Sequence, residues 1–324
     1  MTRKLDDKVQ RRLGELLTEQ NQVISRRQLI ALGVSDGVAR ARLSSGLWQR
    51  GFPGTYIAHN GQPSYSTQLW SAVLYAGEGA MASYDSAAYL HGLVIGTPVK
   101  VHVTVPDSRR VAPQPGLVVH RSGRAIDQEQ PFSSPPRTRV EETVLDLADT
   151  KAKPDDVVAV LTNACQRKKT VVVALRTGIE QRRKHRHRRL IDEVLTAIAI
   201  GVHSVLEWRY YCDVERAHGL PEGERQVHRR RDGKAEWIDV KYSKFRVIVE
   251  LDGALYHDGN QKRRVDRARD RAEAVNNVIL RYGWYESTAL ACETARYVAS
   301  VLATRGWSGK FKRCRRCPQP HDVA

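Results

Sequence analysis

Trp237-Ile238-Asp239-Val240-Lys241, followed nine residues later by Glu250-Leu251-Asp252-Gly253, is the stretch on which the reading of this chain turns. Each segment lies in or just after a β-branched run and carries charged residues at alternate positions. In a strand alternate side chains share a face, so the spacing predicts Asp239 with Lys241 on one strand and Glu250 with Asp252 on the next. If the runs pair as a hairpin, two or three carboxylates and an ammonium converge. Carboxylates about 4 Å apart repel by roughly 4 kcal/mol per pair at an effective dielectric of about 20. A chain that gathers them is expected to hold a cation there. The chain around them has a formal net charge of +17, so the first expectation is a divalent metal beside a surface for a polyanion.

The surrounding pattern predicts a helix from Ser204 to Gly219, then strands near 226–228, 235–242 and 246–252. A helix over 262–275, a strand over Val278–Tyr282 and a last helix near 290–304 follow. This order resembles the core of the PD-(D/E)XK restriction-like nucleases. Asp239 falls where that superfamily has its metal-binding aspartate, Glu250 at the acidic position of the second motif, and Glu207 where some members place an acid on the first helix. The run Glu250-Leu251-Asp252-Gly253 through His257, with Arg264, Asp266, Arg267, Asp270 and Ile279-Leu280-Arg281, is more closely similar to a bacterial domain related to the very-short-patch-repair (Vsr-like) endonucleases. The resemblance implies metal-assisted phosphodiester hydrolysis, with Mg2+ (or Mn2+) on Asp239, Glu250, Asp252 and the Leu251 carbonyl, since hard oxygen donors suit that ion. Lys241 or His257 would assist the attacking water. One departure stands out: the usual lysine of the second motif is replaced by Asp252, which puts catalysis in question. Simpler readings exist for several of these residues. Ser204-x-x-Glu207 is a capping box, Asp252-Gly253 a turn dipeptide, and Lys241 a partner for a strand neighbour. Arg263, Arg267 and Arg271, four apart, form a stripe fit either for a phosphate backbone or for a solvated helix laced with ion pairs.

The first sixty residues read as helix, helix, turn, helix and β-ribbon, the order of a winged helix-turn-helix. Ser25, Leu29, Gly33, Arg40, Leu43, Gly46, Leu47, Arg50, Gly54 and Tyr56 match the motif of the N-terminal domain of AbiEi-type antitoxins, which this segment resembles. On that resemblance Arg40 and Arg42 lie on the recognition helix and Arg50 enters the wing, placed for phosphates or guanine edges. Residues 61–190 read as an α/β region, loosely similar to the remainder of AbiEi-like proteins, with an alternating strand at Val99–Val105. The run Arg182–Arg189 suits either a phosphate backbone or the solvated start of a helix.

The expected architecture is therefore α/β and multi-domain: a winged helix-turn-helix over 1–60, an α/β region over 61–190, a restriction-endonuclease-like mixed-sheet core over 200–307 and a basic tail over 308–324. Met1–Asp7 lacks the apolar run of a signal peptide, and no long apolar stretch is present, so a cytoplasmic protein without membrane contact is expected. Cys165, Cys212 and Cys292 stand alone and read as buried small hydrophobes. Cys314 and Cys317 share metal-ligand spacing, and His321 makes three ligands, one short of a structural zinc site. The simpler reading is a tail with two free thiols. The expected function is a Mg2+-dependent DNA endonuclease whose substrate is a nucleic acid rather than a small molecule; RNA would share the same chemistry. The alternative is an AbiEi-like DNA-binding regulator with an inactive nuclease fold.

Overall fold

The computed structural model describes residues 6–231, 234–252 and 277–317. His257, Arg263, Arg267, Arg271, His321 and the helix expected over 262–275 lie outside the described residues. The chain divides into two compact units, one of Met1–Lys151 with Arg167–Arg186, the other of Ala152–Gln166 with His187–Ala324.

The first unit begins with helices Asp7–Glu19, Arg26–Ala31 and Asp36–Ser44, interleaved with β1 (Val23–Ser25), β2 (Gln49–Arg50) and β3 (Thr55–Ile57), which form an antiparallel sheet of order β1-β3-β2. Ser25 ends β1 and caps the second helix, its hydroxyl accepting from the Gln28 N–H while the Gln28 side chain returns to the Ser25 N–H. Leu13, Ile24, Leu29, Val34, Ala39 and Trp48 fill the space between these elements. Further along, β4 (Met81–Ala82), β5 (Val101–Pro106) and β6 (Leu117–Ser122) form a second sheet in that order, with β5 and β6 parallel. Val101, Val103 and Val105 pack against helix Tyr65–Ala76. The strand expected from Val99 starts two residues later, and Val99 is left 99% exposed. In the basic run after 182 the residues part: Arg182 turns inward to Glu142 and Asp146, and His185 meets the Leu145 carbonyl at 3.0 Å. Neither is a solvated charge.

In the second unit, helices Pro154–Gln166 and Arg188–Ala199 lie against each other. Helix Val205–Arg209, capped by Ser204, runs on as a π-helical segment, Tyr210–Arg216. The helix expected to reach Gly219 thus widens after one turn. A four-stranded sheet follows, with β7 (Glu224–Arg231), β8 (Lys234–Tyr242), β9 (Val247–Leu251) and β10 (Val278–Tyr282) in the order β10-β9-β8-β7. β7 through β9 run antiparallel to their neighbours, whereas β9 and β10 are parallel. A short helix, Trp284–Thr288, absent from the sequence-based expectation, precedes the closing helix Ala291–Thr304. Val240, Tyr242, Val247, Val249, Leu280 and Tyr282 bury one side of the sheet with Tyr210, Val214, Ala295, Val298 and Leu302. The period-two pattern assigns Lys241, Ile248, Glu250 and Arg281 to the opposite side.

Under this sheet lies a buried polar network. Tyr242 donates its hydroxyl to Glu215 Oε1 at 2.6 Å, Arg225 pairs with Glu215 Oε2, and the Tyr210 and Tyr242 hydroxyls are 3.2 Å apart. Burial raises the Glu215 pKa even though Arg225 and Tyr242 favour its charge, and burial raises both tyrosines. The network requires Gly223, where a Cβ would overlap the Val240 methyl. Removing one partner of a buried pair strands the other charge, which costs about 3–5 kcal/mol. Arg225→Ala is therefore expected to lower the unfolding free energy of the second unit by that amount, a loss readable by urea denaturation followed through tryptophan fluorescence.

Candidate functional site

The ladder between β8 and β9 consists of Val240↔Val249, Lys241↔Ile248 and Tyr242↔Val247. One residue beyond the Val240↔Val249 pair stand Asp239 and Glu250. There the Asp239 carboxylate takes over from the ladder: its Oδ2 accepts the Leu251 N–H at 2.7 Å. Across the parallel pairing, Glu250 lies opposite Arg281. On the other flank β7 is distorted at Gln226, which sits at a positive φ of 49°. The Gln226 amide donates to Glu207 Oε2 at 3.1 Å.

Three other acids act on Asp239. The Asp239 pKa is raised from 3.8 to about 6, first by burial and then by Glu207, Glu250 and Asp252; the Leu251 hydrogen bond opposes the shift. Charge on Asp239 is thus disfavoured until a cation or proton arrives. Glu207 is buried, with Oε2 receiving the His203 N–H at 3.0 Å and Oε1 the Ser204 hydroxyl at 2.9 Å. The capping motif expected at Ser204-x-x-Glu207 is present in altered form, since Glu207 reaches the amide before the cap residue. Glu250 is held by two arginines, Arg281 Nε at 2.9 Å on Oε2 and Arg229 Nη2 at 3.5 Å on Oε1. Arg229 is shared with Glu236 at 3.0 Å.

Glu207, Glu250 and Asp252 each act electrostatically on Asp239. Asp252 is exposed, and its N–H donates to the Tyr282 carbonyl at 3.0 Å. Lys241 is half-buried, with Ile248 and Glu224 as its cross-strand neighbours, the second an acid suited to pair with it. Of the arginines expected to meet nucleic acid, Arg40 and Arg50 are exposed. Arg42 lies over the Trp48 ring, 4.7 Å from its centroid, and burial lowers its pKa. Sequence reasoning missed Arg229 as a partner of Glu250, and gave Arg281 no role. The only signal for the latter was its position on the strand beside Glu250. A second gathering was also missed: the ligand atoms of His218, Cys292, Cys314 and Cys317 all lie within 4.8 Å of one another, a donor set that could bind a metal. Cys292 is thus not a lone apolar filler, and the companion of the tail cysteines is His218. The Cys-x-x-Cys spacing was the one legible sign of it.

No helix among the described residues is long and apolar enough to cross a membrane. No protein-family model matches this chain, and no curated protein is significantly similar to it.

The raised Asp239 pKa has a signed consequence. The folded state holds this proton more tightly than the unfolded state, so Asp239 lowers stability as pH rises from about 4 through about 6. Asp239→Asn is expected to match the parent near pH 4 and to exceed it in stability at pH 7, as measured by urea denaturation at the two pH values in the presence of EDTA.

Proposed function

We propose that this protein is a Mg2+-dependent DNA endonuclease, with Asp239 and Glu250 holding the ion and Asp252 as a third oxygen donor. The observation that carries the reading is the Asp239 carboxyl, pushed up to about 6 among Glu207, Glu250 and Asp252 where β8 and β9 part. Acids gathered this way are costly unless a cation joins them, and their hard oxygens fit Mg2+. The order of helix, β7, β8, β9, β10 and closing helix, with only β9 and β10 parallel, supports a PD-(D/E)XK assignment for the second unit. The first three helices and the β1-β3-β2 sheet support a winged helix-turn-helix.

A bound Mg2+ supplies polarisation of the scissile phosphate and a water of lowered pKa. The chain's own residues do the rest. Asp239 is oriented by the Leu251 N–H. Arg281 and Arg229, which pair with Glu250, would be placed to meet phosphate oxygens if that carboxylate held the ion, a role that suits the guanidinium fork. Trp237, 61% exposed and two residues from Asp239, offers a face for a base to stack on. Lys241, or His257 outside the described residues, would hold the attacking water.

A second reading rests on one feature: both Glu250 oxygens are already engaged by arginines. An acid so neutralised favours an AbiEi-like regulator that binds DNA through a nuclease fold without cutting it.

The experiment is cleavage of supercoiled plasmid by the full chain with Mg2+, Mn2+ or EDTA, beside Asp239→Ala. The endonuclease reading expects metal-dependent nicking that falls by about 100-fold or more in the variant, the loss expected when several kcal/mol of transition-state stabilisation disappear. Retained activity in Asp239→Ala would remove the site from the mechanism. Tight, salt-sensitive DNA binding without cleavage under any metal would establish the regulator instead.

A further inference from the structure

We propose that His218, Cys292, Cys314 and Cys317 form a closed, four-ligand site for a single zinc ion, which fastens the segment after the last helix to the core of the second unit. The site is separate from the carboxylates and does not depend on the nuclease reading. Its residues come from three places. His218 follows the π-helical segment Tyr210–Arg216, Cys292 lies in the first turn of helix Ala291–Thr304, and Cys314 and Cys317 close a Cys-x-x-Cys turn in the tail.

Three of the six ligand–ligand distances are close to the edges of a zinc tetrahedron, and all six lie within 4.8 Å. Cys292 Sγ is 3.5 Å from Cys314 Sγ, Cys314 Sγ is 3.8 Å from Cys317 Sγ, and Cys317 Sγ is 3.5 Å from His218 Nε2. With Zn–S near 2.3 Å and Zn–N near 2.0–2.1 Å, tetrahedral coordination gives S···S edges of about 3.8 Å and S···N edges of about 3.5 Å. A disulfide would need its sulfurs about 2.05 Å apart, and all four of these groups are too far for that; the cysteines are free thiols.

The surroundings prepare the donors. His218 Nδ1 lies 3.1 Å from the Val214 carbonyl, and a proton there leaves Nε2 as a lone pair aimed at the thiols. An outer hydrogen bond of this kind fixes the tautomer of a metal-bound histidine. The ring is stacked on Phe311 with centroids 5.1 Å apart. The Arg316 N–H points at Cys314 Sγ at 3.3 Å, and the Cys317 N–H donates to the Cys314 carbonyl at 3.2 Å, so the turn presents both sulfurs to one side. Lys312 N–H donates to the His218 carbonyl at 2.8 Å and ties the tail to the same helix end. His218 is 0% exposed, Cys317 5% and Cys292 8%.

Three soft thiolates and an imidazole at these distances select zinc over Mg2+ or Ca2+. Four protein ligands in a buried setting leave no open position for a substrate, which makes the site structural rather than catalytic.

The test uses the full chain purified under reducing conditions. Elemental analysis is expected to find about one zinc per chain. After chelation, Co2+ alone should restore the thiolate-to-cobalt charge-transfer and tetrahedral d–d absorption. Cys292→Ser and Cys314→Ser should each weaken Zn2+ binding by more than the roughly 10–100-fold that loss of an outer partner costs, whereas Cys165→Ser should bind as the parent does. Chelation should lower the thermal midpoint of the parent. A reduced parent chain that takes up neither Zn2+ nor Co2+ would overturn the proposal even if the serine variants failed to fold. So would a cobalt spectrum without thiolate character, or Cys314→Ser that keeps parental zinc.

Discussion

A carboxylate standing in for a carbonyl is the constraint on which the second unit depends. Where β8 and β9 cease to pair at Val240 and Val249, the Leu251 N–H would lose its ladder acceptor; Asp239 supplies one. A buried N–H without a partner costs about 1–3 kcal/mol, so the side chain cannot swing away cheaply. Asp239 is therefore locked into partial burial beside Glu207, Glu250 and Asp252, and its raised pKa records the cost. The strands open because the side chain keeps the backbone satisfied, and the opening leaves acids at the end of a sheet instead of a continued ladder. Arg229 and Arg281 then balance Glu250 from the two neighbouring strands, which leaves Asp239 as the acid whose charge is least compensated.

Much of this was legible in the residues, for reasons tied to periodicity. Ile238–Lys241 alternates apolar and polar side chains and Val278-Ile279-Leu280 is a short apolar run, and the strands fall at Lys234–Tyr242 and Val278–Tyr282. Caps were legible too, because Ser25 and Ser204 act through backbone groups only three residues away. What escaped depends on side chains far apart in sequence. Nothing local distinguishes Arg182, which lies buried between Glu142 and Asp146, from the arginines that follow it. The same holds for Arg229 on Glu250. The π-helical segment after Arg209 was equally hidden, since apolar spacing at 3.6 residues per turn and a widened turn look alike over seven residues. His218 goes unread and Cys292 reads as a buried small hydrophobe, because a ligand 99 residues from Cys317 and another 22 from Cys314 show no recognisable spacing.

The two donor sets proposed in this unit would answer to different ions. Carboxylate oxygens at the sheet end are hard ligands that suit an ion keeping its waters; thiolates and an imidazole are soft and complete a shell without water. Exchange between them is disfavoured on both sides. Mg2+ gains little from sulfur, and the carboxylates offer zinc no tetrahedral cage of fixed geometry. On the proposals above, stripping the soft site would free the tail from the core, while loss of Mg2+ would return the acids to their mutual repulsion as well as remove the chemistry.

The charge balance bears on what faces this site. Each internal ion pair removes one acid and one base from the surface together, so pairing inside leaves the excess of +17 untouched outside. Glu142, Asp146, Glu215 and Glu250 are all drawn inward to arginines. The exposed charge is consequently more purely cationic than the composition implies, and Glu207 and Asp239, also withdrawn from the surface, sharpen the contrast. A carboxylate site set in such a surface would repel nothing anionic at long range; the field draws a polyanion in, and only at contact do the acids require a cation between themselves and phosphate. On the proposed function, that sequence of attraction followed by a local need for a divalent ion would serve a nucleic-acid strand whether it is then cut or only held.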